Sequence, residues 1–264
     1  IFAGGVASGT TVSSGGVEIV YAGTANGTTV SSGGKEVVSS GALASGTTVK
    51  DVGLEYVYGS VTGVTLGRAA GEVVFAGGVA SGTTVNSEGQ VVVSSGGIAS
   101  GTTVNNGGME TVYGTTLGTT VGTGGMEVVS SGGSLSGATI NGGTLEVMSG
   151  GTASGVITFG TSGTLEIGNS QNFGGTIAGL ANTAQILDLL DISYSSSTTL
   201  AYSGTSQSGT LTVSDGTHTA TLALLGQYSA ANFTLGSDGH GGTTVVDPPA
   251  AAPDLFSTTA NRPH

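Results

Sequence analysis

Acidic side chains recur along this sequence at nearly regular intervals, and their type and spacing suggest chemistry. Eight of the nine glutamates follow Gly-rich segments, and only the segment containing Val91 interrupts the series. The members are Glu18, Glu36, Glu55, Glu72, Glu110, Glu127, Glu146 and Glu166. If these segments stack as strands ~5 Å apart, neighbouring carboxylates repel by roughly 3 kcal/mol at an effective dielectric of 20. Such a row must be solvated, partly protonated or bridged by cations.

Two interpretations of the glutamate row remain open at this point. In the one we favour, the carboxylates are solvated and oppose lateral aggregation of a surface rich in Thr and Val. In the other, the row binds cations weakly and its carboxyl pKa values are raised. Alternation along a strand does not settle which way the row faces. Because Glu18 and Val20 share the same parity, one of them is exposed or the strand is irregular.

Threonine forms a second row. The hexapeptide Ala-Ser-Gly-Thr-Thr-Val occurs at 7–12, 44–49, 80–85 and 99–104, and degenerate copies lie between and after these. Its last residue is always apolar and is expected to face inward, so the Thr before it faces outward. The outward series is Thr11, Thr29, Thr48, Thr65, Thr84, Thr103, Thr120 and Thr139. Such a ladder could bind sugars or match a lattice. We favour the simpler interpretation, a soluble outward strand surface with ladder hydrogen bonds.

Catalytic candidates are weak. Asp215/His218 and Asp238/His240 each place a carboxylate near a histidine, but Asp is common in turns for other reasons. An enzyme acting on acidic sugars would also need clustered cations, and the basic residues are scattered. They are Lys35, Lys50, Arg68 and Arg262. A glycosidase pair could be drawn from the glutamate row, but no pair differs from the others. We therefore predict no catalytic residue, no cofactor and no metal site.

Both rows imply a repeating structural unit. Successive hexapeptide copies end 17 to 19 residues apart, and each interval holds two short β-branched runs separated by glycines. This period is too short for a propeller blade or a helical repeat and is typical of one coil of a β-solenoid. We predict an all-β fold, a β-solenoid of about nine coils of 17–20 residues with a β-rich C-terminal cap. The glycine pairs would supply positive φ or close backbone approach at the corners.

Three regions are predicted along the chain. Residues 1–170 form the β-solenoid repeat domain, residues 171–247 a cap rich in β-hairpins, and residues 248–264 a flexible tail. Alternating strands on either side of Asp215-Gly216 predict one hairpin, and segments 233–235 and 243–246 predict a second. A cap of this kind would close the open strand edges at the end of the solenoid.

Composition excludes several classes of function. The chain has 4 Lys+Arg against 16 Asp+Glu and a net charge of -12, which argues against nucleic acid and anionic lipid as partners. It has no Cys, so neither a disulfide nor a thiolate metal site is available. No apolar run is long enough for a transmembrane helix, and no signal peptide is recognisable at the start. We expect the chain to be a fragment of a longer protein.

The repeats resemble those in the passenger domains of AIDA-type autotransporter adhesins. The best stretch is Ser-Gly-Gly-Ile-Ala-Ser-Gly-Thr-Thr-Val at 95–104, and about two thirds of the chain shares the pattern. The C-terminal segment is similar to those that end large secreted bacterial repeat proteins. The resemblance implies a secreted, right-handed β-helical rod for adhesion, self-association or biofilm formation, with Gln where this chain often has Glu. Some members of this family carry O-linked heptose on Ser and Thr, and the matching candidates here are Ser8, Thr10, Thr11, Ser100, Thr102 and Thr103.

These observations together predict an extracellular or cell-surface structural and adhesive module without catalysis. Its partners would be like rods, or glycans and proteins of the host or matrix, bound through stacked Thr, Ser and Glu ladders whose strength comes from avidity. One alternative is a carbohydrate-active solenoid, related to polysaccharide lyases or hydrolases, or an accessory glycan-binding module. A second alternative is an ice- or mineral-binding surface.

Overall fold

The protein is a β-solenoid, as the repeat predicts. The computed structural model describes residues 1–248, so all but the first residue of the expected tail at 248–264 lies outside the described residues. Ten coils stack in parallel, and each contributes one strand to a common sheet at the spacing of hydrogen-bonded neighbours. The described residues contain no α-helix and a single 3-10 turn at Ser170–Asn172.

The first six coils each supply three short strands. These are β1 (Val6–Ser8), β2 (Thr11–Val12), β3 (Val17–Val20), β4 (Thr24–Asn26), β5 (Thr29–Val30), β6 (Lys35–Val38), β7 (Leu43–Ser45), β8 (Thr48–Val49), β9 (Leu54–Val57), β10 (Ser60–Thr62), β11 (Thr65–Leu66), β12 (Gly71–Val74), β13 (Val79–Ser81), β14 (Thr84–Val85), β15 (Gln90–Val93), β16 (Ile98–Ser100), β17 (Thr103–Val104) and β18 (Met109–Val112).

The remaining coils supply two strands each, and the cap follows. The coil strands are β19 (Thr115–Gly122), β20 (Met126–Val129), β21 (Ser134–Asn141), β22 (Thr144–Val147), β23 (Thr152–Phe159), β24 (Gly163–Ile167), β25 (Thr176–Ala178) and β26 (Gln185–Leu189). The cap strands are β27 (Thr199–Gly204), β28 (Ser208–Ser214), β29 (Thr219–Leu225), β30 (Thr234–Ser237) and β31 (Thr243–Val246).

Two sheets result from this stacking. The Glu sheet has 12 strands in the order β3, β6, β9, β12, β15, β18, β20, β22, β24, β26, β31 and β30. The other 19 strands form the Thr sheet, which carries the threonine row. All strand pairings between coils are parallel, apart from one isolated antiparallel bridge between Gly122 and Gly142, and the cap strands add antiparallel pairs.

The first nine coils each turn a corner on a glycine. Gly9 and its counterparts in the next eight coils all have φ between 63° and 70°, a conformation that costs other residues roughly 1–2 kcal/mol. Other glycines permit close stacking of the coils. A Cβ on Gly53 would lie 2.7 Å from the carbonyl oxygen of Val30, and one on Gly108 would lie 2.7 Å from that of Val85. Both expected uses of glycine are therefore present.

The interior contains two apolar clusters. One extends from Val12 to Val112 and is made mainly of Val and Ala, and the other extends from Val129 to Val245 and is rich in Leu and Ile. Of the twelve largest fully buried side chains, all except Leu66 lie at residue 135 or later. The C-terminal half therefore holds the larger share of bulky core residues.

The C-terminal end differs in detail from the regular coils. Parallel stacking continues beyond the expected boundary at residue 170, because β25 pairs with β23 and β26 pairs with β24. Strands β28 and β29 form the hairpin expected around Asp215-Gly216, and β30 and β31 form the second. Strand β31 pairs antiparallel with β26, and β29 pairs with β25. These pairings cover the strand edges of the last coil.

Candidate functional site

The glutamate row faces the interior of the solenoid. Strand pairing aligns Glu18, Glu36, Glu55, Glu72, Val91, Glu110 and Glu127 in one column. Five of these glutamates, Glu36, Glu55, Glu72, Glu110 and Glu127, are 0% exposed. The expectation of a solvated surface row is wrong for these five. The sequence left open which face of this strand is buried. In the structure, Glu18 and Val20 both point inward, and Val17 and Ile19 point outward.

Two glutamates leave this column. In β20 and β22, Glu127 pairs with Leu145, whereas Glu146 pairs with Val128, an outward position. Glu166 continues the outward column. One extra residue separates each of these glutamates from the preceding glycine, and a shift of one residue moves a side chain to the other face of a sheet. The expectation that all eight glutamates share one position is therefore wrong, although the spacing to glycine signals the shift.

A row of threonines lies opposite the buried glutamates. The first Thr of each Thr-Thr pair points inward, and the members are Thr28, Thr47, Thr83, Thr102 and Thr119, each at most 1% exposed. Thr47 Oγ1 donates to Glu36 Oε2 at 3.0 Å, and Thr102 Oγ1 donates to Glu110 Oε1 at 3.1 Å. Sequence reasoning missed this row. The signal was present, because the first Thr shares the parity of the inward Val.

Burial keeps the inner carboxyl groups protonated at higher pH than usual. Desolvation, partly offset by the hydroxyl of Thr47, raises the pKa of Glu36 to about 7. Desolvation also raises the pKa of Glu72 to about 8 and that of Glu110 to about 7. Glu55 and Glu127 have pKa values well above the usual range, because burial adds to repulsion from neighbouring carboxyl groups.

Several oxygens of the row have no hydrogen-bond partner. Both carboxyl oxygens of Glu55, Glu72 and Glu127 are buried without a donor. A neutral carboxyl group can donate to the next rung, so protonation removes the repulsion and supplies a donor. Within residues 1–248, no group of three or more His, Cys, Asp or Glu side chains is placed to hold a metal ion. Weak cation binding by the row stays a prediction.

The outward threonine ladder lies where it was expected. Strand pairing aligns Thr11 with each successive member through Thr139, and Thr158 extends the ladder by one coil. All members are exposed or half-buried. A parallel column, starting at Ser8, adds more hydroxyl groups, and Ser81 and Ser100 in it are 3.1 Å apart. The outer face of the Thr sheet therefore presents columns rich in hydroxyl groups beside the exposed apolar side chains of Val6, Leu43, Ile98 and Leu117, and the role of the hydroxyl columns remains a prediction.

The hydroxyls suggested for glycosylation are not equally accessible. Ser8 and Thr11 are exposed, and Ser100 and Thr103 are half-buried on the outer face. Thr102 is 1% exposed and bonded to Glu110, and Thr10 occupies the inward column of the first coil. Thr102 is therefore wrong as a surface acceptor in the folded rod.

The outer face of the Glu sheet is largely apolar and is interrupted by Lys35, Gly71, Gln90 and Thr111. The first and third residues of its strands from β3 to β20 point outward, and the third-position column runs through Ile19, Val37, Tyr56, Val73 and Val92. These five side chains are half-buried, and Val17 in the first position is 54% exposed. We call these outward positions of the seven strands the apolar face. Sequence reasoning missed this face because it favoured solvated glutamates and left the orientation of these strands open.

The two Asp/His pairs serve turns. Asp215 Oδ1 accepts hydrogen bonds of 2.7 Å from the backbone N–H groups of Thr217 and His218. These bonds, with that from the Ser193 N–H, hold the pKa of the Asp215 carboxyl below its usual range. Asp238 Oδ1 likewise accepts from the N–H groups of His240, Gly241 and Gly242. Both carboxylates therefore act as acceptors that shape hairpin loops.

One concavity of the surface contains no acid or base. A cavity of about 170 Å³ lies beside the last coils and is lined by Val147, Met148, Gly150, Gly151, Thr152, Ala153, Asn169, Asn172 and Phe173. None of these side chains titrates as an acid or base. In the described part of the chain, no helix is long and apolar enough to cross a membrane.

Comparison with solved structures finds several similar chains. The chain is 34% identical to the crystallised TibC-catalysed, hyper-glycosylated fragment of TibA spanning its residues 55–350. The alignment covers 69% of this chain and 70% of that fragment, with a TM-score of 0.56. No family model and no curated protein matches the chain.

Proposed function

Because the chain belongs to the AIDA-type autotransporter adhesin passengers, we propose that it acts as an exported adhesive rod at the bacterial surface or in the medium. It is an adhesin-like β-solenoid, and passengers of this family are surface or secreted proteins. The observation that carries the adhesive role is the outward threonine ladder, which repeats one chemical group over nine successive coils.

A repeated hydroxyl surface suits many weak contacts. Each Thr hydroxyl is both a donor and an acceptor, so it can match the hydroxyls of a glycan or of a like rod. Single contacts of this kind are weak, but rungs about 4.8 Å apart engage together and add avidity. We therefore assign glycans and like rods as partners, and we assign no catalytic step to the chain.

Charge takes no part in this proposed surface. Five row glutamates lie inside, so the contribution of a Glu ladder to adhesion, expected from sequence, is withdrawn. The outward positions of β1, β2 and their counterparts up to β23 hold no charged side chain. Neutral contacts are not screened by salt. Binding through the ladder should therefore persist at high ionic strength.

Glycosylation is a second proposal for the same surface. The related TibA fragment is hyper-glycosylated, and this chain presents outward hydroxyls at Ser8, Thr11, Ser100 and Thr103. We propose these as acceptors. Intact mass of protein purified from its native source tests the proposal: added sugar masses that map to these residues support it, and an unmodified mass contradicts it.

The adhesive proposal is tested with matched triple variants of the purified chain. Thr11, Thr48 and Thr139, which are exposed and lie in non-adjacent coils, are changed to Glu. The control changes the exposed turn residues Ser40, Ser95 and Ser131 to Glu. Binding to a glycan array and to matrix-coated beads is measured at low and high salt.

We expect the ladder variant to lose at least about tenfold in binding through lost avidity, while the control keeps it. Equal loss in both variants, or binding abolished by salt, would contradict a role for the threonine ladder. Thermal melting of both variants confirms that the fold is retained.

A further inference from the structure

Exposed charge on the solenoid is concentrated at one corner. Apart from the glutamate row, every charged residue between residues 1 and 140 lies in the turn that precedes a strand of the Glu sheet, or at the start of that strand, in coils two to five. These exposed residues are Lys35, Lys50, Asp51, Arg68 and Glu88. The fold therefore brings all the Lys and Arg residues that the structure describes, although they are scattered in the sequence, onto three successive coils.

A groove lies beside these charges. Its volume is about 440 Å³, and its lining residues are Leu54, Ala69, Ala70, Gly71, Glu88 and Gln90. The first outward column of the apolar face passes the groove through Lys35, Leu54, Gly71 and Gln90. Gly71 is the only residue of this column from β3 to β20 without a side chain, and a Cβ there would lie 2.8 Å from Leu54 Cδ2. The groove therefore exists because this strand begins with glycine, and its volume is within the roughly 300–1,000 Å³ of small-molecule sites.

The backbone around the groove is strained. Val52, Ala69 and Glu88 have φ of 62°, 51° and 62° at a turn position where other coils have glycine. Strained conformations of this kind are concentrated at ligand-binding sites, where the surrounding structure holds them. The departures of these three coils from the repeat therefore coincide with the groove and with the basic residues Lys50 and Arg68.

The basic side chains at the groove are available to an anion. Arg68, whose side chain is 82% exposed, contacts Glu88 loosely, with 3.8 Å between Nε and Oε2. Within residues 1–248, neither Lys35 nor Lys50 forms a salt bridge. An exposed pair such as Arg68–Glu88 contributes little stability, whereas a ligand carboxylate can accept two parallel hydrogen bonds from a guanidinium group.

We propose that this groove and its basic rim bind a sugar that carries a carboxylate, such as a uronic or sialic acid residue of a glycan. The site lies at the corner between the two sheets. It differs in chemistry from the threonine ladder, which has no charged side chain, so it is a second glycan site beyond the proposed adhesive surface.

Each part of such a sugar has a complementary group in the site. The guanidinium of Arg68 binds the carboxylate, and Lys50, one coil away, adds a second positive charge. The Leu54 side chain and the methyl group of Ala69 pack against the apolar face of the ring. The Gln90 amide, which both donates and accepts, forms hydrogen bonds with the ring hydroxyls.

The small excess of positive charge makes the groove decisive for selectivity. The corner carries three basic and two acidic side chains, too few cations for the extended phosphate contacts of a nucleic acid. Attraction between exposed charges is screened by salt. A free anion should therefore bind more weakly than an acidic sugar, which also fills the groove.

Titration of the purified chain, followed by NMR, tests the site. The probes are the methyl glycosides of glucuronic acid and sialic acid, the methyl esters of both as uncharged analogues, and inorganic sulfate. We expect the two acids to shift backbone amide signals around Gly71 and to bind less tightly at high salt. The esters should bind at least about tenfold more weakly, because the charge-assisted hydrogen bonds are lost.

Matched variants locate the binding. Arg68→Gln removes the guanidinium, and Gly71→Val fills the groove, so each should weaken binding of the two acids at least about tenfold. Arg68→Lys keeps the charge without the bidentate geometry and should have an intermediate effect. The control, Gln171→Glu, changes the net charge equally at a distant exposed position and should leave binding unchanged. Melting curves verify folding, and exposed Arg68 keeps the test valid if Gly71→Val fails to fold.

Several outcomes would overturn the site. One is the absence of amide shifts with either acid at low salt. Another is an equal effect of Arg68→Gln and Gln171→Glu, which would indicate a long-range charge effect. Sulfate that binds as tightly as the acids and is insensitive to Gly71→Val would indicate an anion site without sugar recognition. Arg68→Gln should keep the binding of neutral glycans by the threonine ladder, so failure of the adhesive proposal is detected separately.

Discussion

At the residue scale, the buried glutamates dominate the electrostatics of the rod. A carboxylate transferred to a dry interior without a cation is strongly disfavoured, and the group protonates instead. The inner threonines offset part of the cost by donating to Glu36 and Glu110. Val91 shows that the column also accepts an apolar side chain, which has no polar atom that would lack a hydrogen-bond partner when buried.

The first prediction concerns pH. On folding, the pKa of Glu36 rises from 4.5 to about 7, that of Glu72 to about 8 and that of Glu110 to about 7. Between pH 4.5 and about pH 8, the folded state therefore binds more protons than the unfolded state. Stability is therefore greatest near pH 4.5 and is lost as the pH rises to about 8. Thermal melts should give a Tm lower by roughly 5–15 °C at pH 9 than at pH 5.

Other groups bear on this window. Burial also raises the pKa of Asp188, to about 6, which adds a loss of the same sign. The lowered pKa of Asp215 acts in the opposite direction, but only below about pH 4. Equal melting temperatures at pH 5 and pH 9, at fixed ionic strength, would contradict protonation of the row.

The second prediction isolates one carboxyl group. Glu72→Gln keeps the shape of the side chain and cannot ionise, so it should stabilise the rod at pH 8 by about 1–3 kcal/mol and have little effect at pH 5. Glu72→Val, which copies the neighbouring coil at Val91, should behave similarly. Exposed Glu88 provides the control, and Glu88→Gln should not change the pH dependence. Destabilisation by Glu72→Gln that is greater at pH 8 than at pH 5 would refute a protonated row.

At the element scale, the turns between the sheets are set by backbone conformation. The turn position occupied by Gly15, Gly33, Gly107 and Gly124 has positive φ in each coil. Other coils place Val52, Ala69 and Glu88 there, with φ of 62°, 51° and 62°. A β-branched residue at positive φ is strained. The third, fourth and fifth coils therefore lack the glycine that best fits this turn position.

The third prediction follows from this strain. Val52 is 63% exposed, so Val52→Gly removes strain without opening a cavity and should stabilise the rod by about 1 kcal/mol. Gly108→Ala should have the opposite effect, costing about 2 kcal/mol or more, because its Cβ would overlap the Val85 carbonyl oxygen. Denaturant unfolding measures both changes. A destabilising Val52→Gly would show that the valine contributes packing that outweighs its backbone cost.

These elements also show how far sequence analysis reaches. The hexapeptide and its period were sufficient to predict the coils and the outward position of Thr11 and its counterparts. Alternating strands around Asp215-Gly216, and the segments 233–235 and 243–246, predicted both hairpins of the cap. The orientation of Glu18 could not be predicted, because Val-Glu-Ile-Val places apolar residues on both faces of a strand. Thr28 was overlooked although its parity with Val30 was readable, and Glu146 was misplaced although one extra residue separates it from its glycine.

At the scale of the whole molecule, the rod consists of two apolar clusters joined by a polar layer. Where the two clusters meet, the interior holds Glu110, Thr116, Thr119 and Glu127 beside the buried Val121 and Val128, and the hydroxyls of Thr116 and Thr119 are 2.8 Å apart. In a stacked array, stability is approximately the sum of coil and interface terms. We expect the two halves to separate at this layer, because it interrupts the contact between the two apolar clusters and contains the unpartnered carboxyl oxygens of Glu127.

The fourth prediction is stepwise opening at this layer. Hydrogen exchange at pH 8 should show peptides from residues 1–112 exchanging faster than those from 129–245, where larger apolar side chains and the capping hairpins add stability. Thr119→Val combined with Glu127→Leu should join the clusters and narrow the difference. A single cooperative exchange phase for the whole unmodified rod would contradict two separable halves.

The sequence by itself determined the periodic features of this protein, namely the coil length, the β-solenoid, the glycine corners, the outward threonine ladder and the family resemblance. Each of these follows from local spacing, which stacking preserves. Only the tertiary structure decided that the glutamates face inward and that the opposite face of the same strands is largely apolar. The orientation of these strands depends on how the strands of a coil close around one interior. There, hydrogen bonds from inner threonines and protonation of the neighbouring carboxyl groups reduce the cost of burying a glutamate.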